Sequence, residues 1–120
     1  MKESGEMYLE AILVLEKEKG NVRAIDVAEH MNYSKPSVSR ALGKLREDGC
    51  ITVDPEGYLK FTRLGREIAE KIYERHVILS DLLIRIGVSE TTALEDACRI
   101  EHYISDETFN AVKKHLKEHR

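Results

Sequence analysis

The chain has 120 residues, of which 42% are hydrophobic and 34% charged, and its formal net charge at pH 7 is -3. This length is enough to bury the core of one ordinary domain or of two very small ones. The negative balance excludes indiscriminate binding of polyanions, so a DNA-binding chain of this composition must concentrate its positive charge locally.

The apolar segments are too short to span a membrane. No apolar run approaches the roughly 20 residues that a membrane-spanning helix needs, and the first residues lack the basic-then-apolar layout of a secretory signal. We therefore expect a cytoplasmic protein without a membrane partner. Cys50 and Cys98 are then expected to be reduced thiols rather than a disulfide.

The first half of the chain predicts three helices. Apolar residues recur at helical spacing up to Gly20, again over residues 22–31, and a third time between Ser34 and Gly49. Ser34 is a suitable N-cap for the third helix, and Pro36 falls in its first turn, where a missing N–H costs nothing. Three successive short helices of this kind are typical of a helix-turn-helix domain.

A hairpin and three more helices follow. Residues 50–53 and 58–61 alternate as two short strands around Asp54-Pro55-Glu56-Gly57, which suits a type I turn because proline is second and glycine fourth. Beyond it, the periodicity predicts a long helix from Thr62 to about residue 85, then helices over residues 90–104 and 106–118, the last capped by Ser105. The order predicts a mainly α fold in which a winged helix-turn-helix domain, residues 1–63, precedes an all-helical domain, residues 64–120.

The third helix has the composition of a DNA-reading helix. Between residues 35 and 46 it carries four basic residues and no acidic one, and short hydroxyl side chains lie near its start. Residues at the start of such a helix can reach base edges, while basic residues on its flanks and on the wing meet phosphates. A solvated basic helix face is the alternative, which the position between a turn and a wing disfavours. The predicted base-edge residues are Ser37, Ser39 and Arg40, with Pro36 against a thymine methyl, and the backbone candidates are Lys35, Lys44, Arg46 and Lys60. Ser34 is a further DNA-binding candidate, as a hydroxyl donor near the start of the helix.

Potential metal ligands cluster near residue 100. Cys98, Glu101 and His102 are spaced i, i+3 and i+4, so a thiolate, a carboxylate and an imidazole can project from one helix face. Glu101 falls on the predicted apolar stripe, where an ionised carboxylate is costly unless a positive charge compensates it. Each residue alone also has an ordinary structural explanation, and three-residue patterns recur by chance.

The chain resembles the diphtheria toxin repressor and manganese transport regulator family. The residues that carry the resemblance are 6–9, 61–65, 75–76, 95–102 and 104–107, including the Cys-x-x-Glu-His stretch. It implies a homodimeric repressor of metal-uptake genes that binds palindromic double-stranded DNA, activated by a metal ion held between the DNA-binding and dimerisation domains. The metal ligands that the resemblance implies are Met7, Glu10, His76, Cys98, Glu101 and His102.

The implied ligand set combines two branches of that family. Met7 and Cys98 resemble the iron-responsive branch, whereas Glu10 resembles the manganese-responsive branch. The length also resembles the manganese branch, so no SH3-like C-terminal domain is expected. Because a thiolate and a thioether suit borderline ions, we expect Fe(II) first and Mn(II) second, with Zn(II), Co(II) or Ni(II) binding in vitro.

Two other function classes share some of these sequence features. A winged-helix regulator that answers to a small organic ligand would share the first 65 residues, but it gives no reason for the cluster near residue 100. A metallo-enzyme would need a substrate pocket, which three neighbours on one helix face do not easily enclose. We therefore expect no enzymatic activity and no small-molecule substrate.

Overall fold

The computed structural model describes residues 3–119; residues 1, 2 and 120, at the ends of the two predicted domains, lie outside the described part. Its elements divide between two compact units, Met1–Glu70 and Lys71–Arg120, and the predicted domain boundary after residue 63 stays a prediction. None of the described helices is both long and apolar enough to cross a membrane. The elements are α1 (Glu3–Lys19), α2 (Ala24–Met31), α3 (Lys35–Glu47), β1 (Ile51–Val53), β2 (Leu59–Phe61), α4 (Arg63–Arg85), α5 (Glu90–Ile100) and α6 (Asp106–Glu118).

The first unit has the predicted three helices and hairpin. Its core consists of apolar side chains, among them Leu9, Ile12 and Val38, which are at most 1% exposed. The α3 helix begins as predicted: the Ser34 hydroxyl accepts a hydrogen bond from the Ser37 N–H at 3.3 Å, and Pro36 lies in the first turn. The same hydroxyl-to-backbone bond is what makes serine a strong N-cap.

The wing is a two-stranded antiparallel hairpin in which Thr52 pairs with Lys60. Its turn closes as predicted, because the Gly57 N–H donates to the Asp54 carbonyl at 2.9 Å and Gly57 has a φ of 88°. The Asp54 carboxylate also accepts the N–H groups of Glu56 and Tyr58, at 3.0 and 2.9 Å. The turn therefore satisfies its own backbone donors without help from outside the hairpin.

The hairpin is fixed to the start of α4. Thr62 caps that helix as predicted, accepting from the Gly65 N–H at 3.1 Å, and its hydroxyl donates to the Gly49 carbonyl at 2.6 Å. A Cβ placed on Gly65 would lie 1.9 Å from the Cys50 carbonyl oxygen. Only glycine permits this close approach between helix and wing.

The predicted start of the second helix was wrong by two residues. The α2 helix begins at Ala24 because Val22 and Arg23 are extended along the wing. The Leu59 N–H donates to the Val22 carbonyl at 2.7 Å, and Arg23 forms a bridge with Tyr58. Pairing with a distant strand thus removes two residues from a locally helical pattern.

The second unit contains residues 71–85 of α4 together with α5 and α6. Ser89 and Ser105 cap α5 and α6 by accepting the Thr92 and Thr108 N–H groups, so the predicted Ser105 cap is confirmed. The predicted extension of α5 to residue 104 was wrong. The helix ends at Ile100, and residues 101–103 form a turn in which the Tyr103 N–H donates to the Ile100 carbonyl at 2.9 Å.

Candidate metal centre and nucleic-acid interface

The predicted DNA-binding side chains lie on the surface of the first unit. Ser37 is half-buried, and its hydroxyl accepts from the Ser34 hydroxyl at 2.9 Å and from Arg40 Nη2 at 3.5 Å. Lys44 pairs with Asp48 at 3.3 Å, which offsets part of its charge. The other predicted residues are all exposed: Ser34, Lys35, Pro36, Ser39, Arg40, Arg46 and Lys60.

A basic pair beside the wing extends this surface. The Arg23 guanidinium lies over the Tyr58 ring at 4.6 Å from its centroid, and Lys60 Nζ approaches the same ring at 5.7 Å. Lys60 also donates to the Asn21 side-chain oxygen at 3.3 Å. The sequence did not single out Arg23, because a residue placed inside a predicted helix gives no sign that it reaches the wing.

The metal-ligand prediction centres on Glu101, which the structure buries completely. Its side chain is 0% exposed. His76 Nδ1 lies 2.9 Å from Glu101 Oε2, and His102 Nε2 lies 3.4 Å from Glu101 Oε1. Three predicted ligands from α4 and from the end of α5 are therefore brought together within the second unit.

The arrangement fits a bound cation. Glu101 Oε1 is buried and forms no hydrogen bond with the described residues, and burying a carboxylate oxygen without a positive or hydrogen-bonding partner is costly. Two ligand atoms held at about 2.1 Å from one ion lie roughly 3 Å apart, close to the two observed separations. Imidazole nitrogen and carboxylate oxygen are both common ligands of divalent transition metals.

The other predicted ligands lie on two different helices. Cys98 is half-buried on α5, three residues before Glu101. Met7 and Glu10 are half-buried on α1, in the first unit, three residues apart on one helix. Helical spacing places Met7 and Glu10 on the same face of α1.

Arg75, next to His76 on α4, has a structural role that the sequence did not predict. It is 6% exposed, and its Nη1 donates to the carbonyls of Glu101 and Ile104 at 3.2 and 2.7 Å. Its Nη2 donates to the Asp106 carboxylate. These acceptors are 26 to 31 residues away, so no local pattern marks them.

Asp106 is the anionic partner of this arginine. Lys71 Nζ lies 3.0 Å from the same carboxylate oxygen. The hydrogen bond and charge of Lys71, together with the Arg75 guanidinium, hold the pKa of Asp106 below its ordinary value. The carboxylate is thus ionised at neutral pH and can neutralise one of the two cations.

Comparison with known proteins decides the family. Residues 1–59 match the family model for the N-terminal DNA-binding domain of iron-dependent repressors, and residues 62–120 match the model for their metal-binding and dimerisation domain. The chain belongs to the iron-dependent repressor family. Members of this family are metal-dependent transcriptional repressors, so a regulator that answers to a small organic ligand is not favoured.

Individual relatives agree with this assignment. The chain is 34% identical to the transcriptional regulator MntR of Escherichia coli over 112 residues, which cover 93% of this chain and 72% of that protein. It is 33% identical to the diphtheria toxin repressor of Corynebacterium diphtheriae over 114 residues, or 94% of this chain and 50% of the repressor. By name, the first of these relatives is a transcriptional regulator and the second a repressor.

Solved structures confirm the predicted winged-helix architecture. The manganese regulator SloR superposes with a TM-score of 0.84 at 25% identity, covering 94% of this chain and 53% of SloR. The IdeR protein of T. acidophilum gives a TM-score of 0.82 at 25% identity, covering 93% and 53%. The chain therefore spans about half the length of these two solved chains.

Proposed function

We propose that the chain represses metal-uptake genes in the cytoplasm by binding palindromic operators as a homodimer when it holds a divalent transition metal. The observation that carries this proposal is the buried Glu101 carboxylate, which has imidazole nitrogens of His76 and His102 within 3.4 Å. Fe(II) is the first candidate and Mn(II) the second.

The proposed ligands in the second unit are His76, Cys98, Glu101 and His102. When bound, the ion supplies the positive charge that the buried Glu101 carboxylate needs. Met7 and Glu10 are included because of the family resemblance and their residue types. A set with one thiolate and one thioether favours borderline ions over Mn(II), which is why Fe(II) is placed first, with Zn(II), Co(II) and Ni(II) expected to bind in vitro.

The proposed DNA contacts divide into two classes. At the start of α3, Ser37, Ser39 and Arg40 are proposed to read base edges, whereas the exposed lysines and arginines of α3 and the wing are proposed to meet phosphates. Arg23 joins the phosphate class because it lies beside Lys60 over the Tyr58 ring. Pro36 is proposed to contact a thymine methyl group.

A homodimer is supported by apolar side chains that the second unit leaves exposed. Val77 is 47% exposed, Leu94 41% and Tyr103 72%. Exposed apolar side chains in the unit that matches a dimerisation domain are natural interface residues. A two-fold dimer reads a palindrome by placing its two recognition helices about one DNA turn, roughly 34 Å, apart or at a multiple of it.

The test is an anaerobic titration with operator DNA selected from a random duplex pool in the presence of Fe(II) or Mn(II). Fluorescence anisotropy would measure DNA affinity with and without each metal at cell-like concentrations. We expect metal to tighten DNA binding by about 10- to 100-fold, and by linkage DNA must tighten metal binding by the same factor.

The decisive variant is the pair Cys98→Ala and His102→Ala, with Arg99→Ala as the control because Arg99 is an exposed neighbour. The control is expected to respond to metal as the wild type does, and the double variant not to respond. An unchanged metal response in the double variant would contradict the proposal.

A further inference from the structure

Arg75 combines deep burial with unusual partners. It is the only lysine or arginine among residues 3–119 that is buried, and two of its three acceptors are backbone carbonyls. A buried guanidinium is costly unless its donors are satisfied. Here the carbonyls of Glu101 and Ile104 satisfy Nη1, whereas the buried Nε has no hydrogen-bond partner among the described residues. Its third acceptor is the Asp106 carboxylate, so three points along residues 101–106 are tied to one side chain.

These bonds hold a segment that has no regular secondary structure. Residues 101–105 lie between the end of α5 and the start of α6, so their carbonyls are outside both helices. Arg75 donates hydrogen bonds to two of these carbonyls, those of Glu101 and Ile104. The backbone of Glu101 is thereby fixed from α4 by Arg75, while the neighbouring His76 contacts the carboxylate of the same residue at 2.9 Å.

The geometry points to Arg75 as a positioning residue for the metal ligand Glu101, an inference that rests on the metal binding proposed above. Arg75 holds the main chain of Glu101, and the next residue of α4, His76, contacts its side chain. A displacement of the turn would move the carboxylate relative to His76 and would also move His102, the next residue. Residues outside the ligand set that orient ligands typically change metal affinity by 10- to 100-fold when mutated.

Lysine is the informative replacement because it keeps the positive charge but loses the planar fork. A compact ammonium group cannot reproduce the guanidinium's fixed arrangement of donors toward separate acceptors. Asp106→Asn is a second variant. It weakens the contacts of Arg75 with residues 101–106 at their more exposed end, where the Asp106 side chain is 66% exposed. Arg85→Lys is the matched control on α4, since the ion pair of Arg85 among the described residues is a local one, with Asp81 at 3.0 Å.

The experiment titrates the metal-free full chain with Co(II) anaerobically and records the visible absorption spectrum together with the dissociation constant. We expect Arg75→Lys to weaken Co(II) binding by roughly 10-fold or more and to alter the spectrum, which reports ligand geometry. Asp106→Asn should weaken binding about 3-fold, and Arg85→Lys should match the wild type. Far-UV circular dichroism verifies that each variant is folded.

The outcomes separate this inference from the proposed function. If the wild type binds no Co(II), the proposed metal centre fails. If the wild type binds Co(II), and Arg75→Lys and Asp106→Asn both show the wild-type affinity and spectrum, Arg75 is only a packing residue and the inference is overturned. If Arg75→Lys does not fold, Asp106→Asn decides the matter alone, with weaker binding and a changed spectrum as support and wild-type behaviour as refutation.

Discussion

The two units differ in what they bury. In the first unit the large side chains that are fully buried are apolar or a thiol, as with Leu9, Val27 and Cys50, and its predicted DNA-contacting groups lie on the surface. The second unit buries Arg75 and Glu101, and among residues 3–119 it has five exposed large apolar side chains against three in the first unit. The first unit thus resembles an ordinary folded domain. The second unit bears the free-energy cost of burying charged groups and of exposing apolar side chains, which a bound cation and an apolar partner would offset.

Glu101→Gln tests the difference between the two units most directly. The neutral amide removes a metal ligand charge, so we expect Mn(II) affinity to fall by at least about 100-fold. The same change should raise the free energy of unfolding of the metal-free chain by about 1 kcal/mol, because an amide is cheaper to bury than a carboxylate. Isothermal titration and urea unfolding measure the two effects.

Glu95→Gln is the control for that change, since Glu95 is exposed on the same helix. Glu95→Gln should leave the Mn(II) affinity and the free energy of unfolding unchanged. A metal-free Glu101→Gln chain that is clearly less stable than the wild type would show that the second unit bears no cost for its buried carboxylate.

Within the first unit, Gly65→Ala is expected to have the largest effect on stability. The new Cβ would meet the Cys50 carbonyl oxygen at 1.9 Å, and relieving that clash requires backbone movement, at a cost of about 3 kcal/mol. Gly43→Ala is the matched control, because nothing lies within 4 Å of a Cβ there and alanine favours a helix by roughly 0.5–1 kcal/mol over glycine. Thermal unfolding should move in opposite directions for the two variants.

The surface of the first unit predicts two kinds of change in DNA binding. Arg40→Ala should reduce discrimination among operator variants by about 1–3 kcal/mol if Arg40 reads a base. Lys60→Ala should weaken all sequences alike and reduce the slope of log affinity against log salt by about 1. If both variants lose the same amount of discrimination among operator variants, the assignment of Arg40 to a base contact and of Lys60 to a phosphate contact is wrong.

The smallest expected effect concerns acid stability in the second unit. The pKa of Asp106 is lower in the folded chain than its ordinary value, so its contribution is present above that value and is lost as pH falls through the folded pKa. We expect Asp106→Asn to be less stable than the wild type at pH 7, and the difference to shrink only as the pH falls below about 4. Glu107→Gln, at the exposed neighbouring position, should stay parallel to the wild type in a pH series of melting temperatures.

Features set by local chemistry were predictable from the sequence. The Ser34, Thr62 and Ser105 caps and the Asp54–Gly57 turn depend on bonds between residues at most four apart. The burial of Glu101 was also predicted from its place on the helical stripe, but the helix ends one residue before it and Arg75 of α4 binds its carbonyl. For the caps and the turn, the partner that decides the conformation lies within the same segment of sequence.

Features set by distant partners were not predictable. Val22 is not helical because its carbonyl accepts a hydrogen bond from the Leu59 N–H. The α5 helix ends before residue 101, where the carbonyls of Glu101 and Ile104 accept hydrogen bonds from Arg75. Arg75 itself appeared only as the neighbour of His76 in a family motif. Two of its three acceptors are backbone carbonyls, which every residue carries, so their identity left no trace in the sequence.

The different settings of the two cysteines make the chain a ready substrate for site-selective chemical labelling. Cys50 is fully buried, and burial raises the pKa of its thiol, whereas Cys98 is half-buried. A thiol-reactive probe added to the folded chain should therefore modify Cys98 first, since thiolate fraction and access govern the rate. If an added cation protects Cys98 from the probe, the loss of labelling would report occupancy of the metal site optically, with no engineered residue and no DNA.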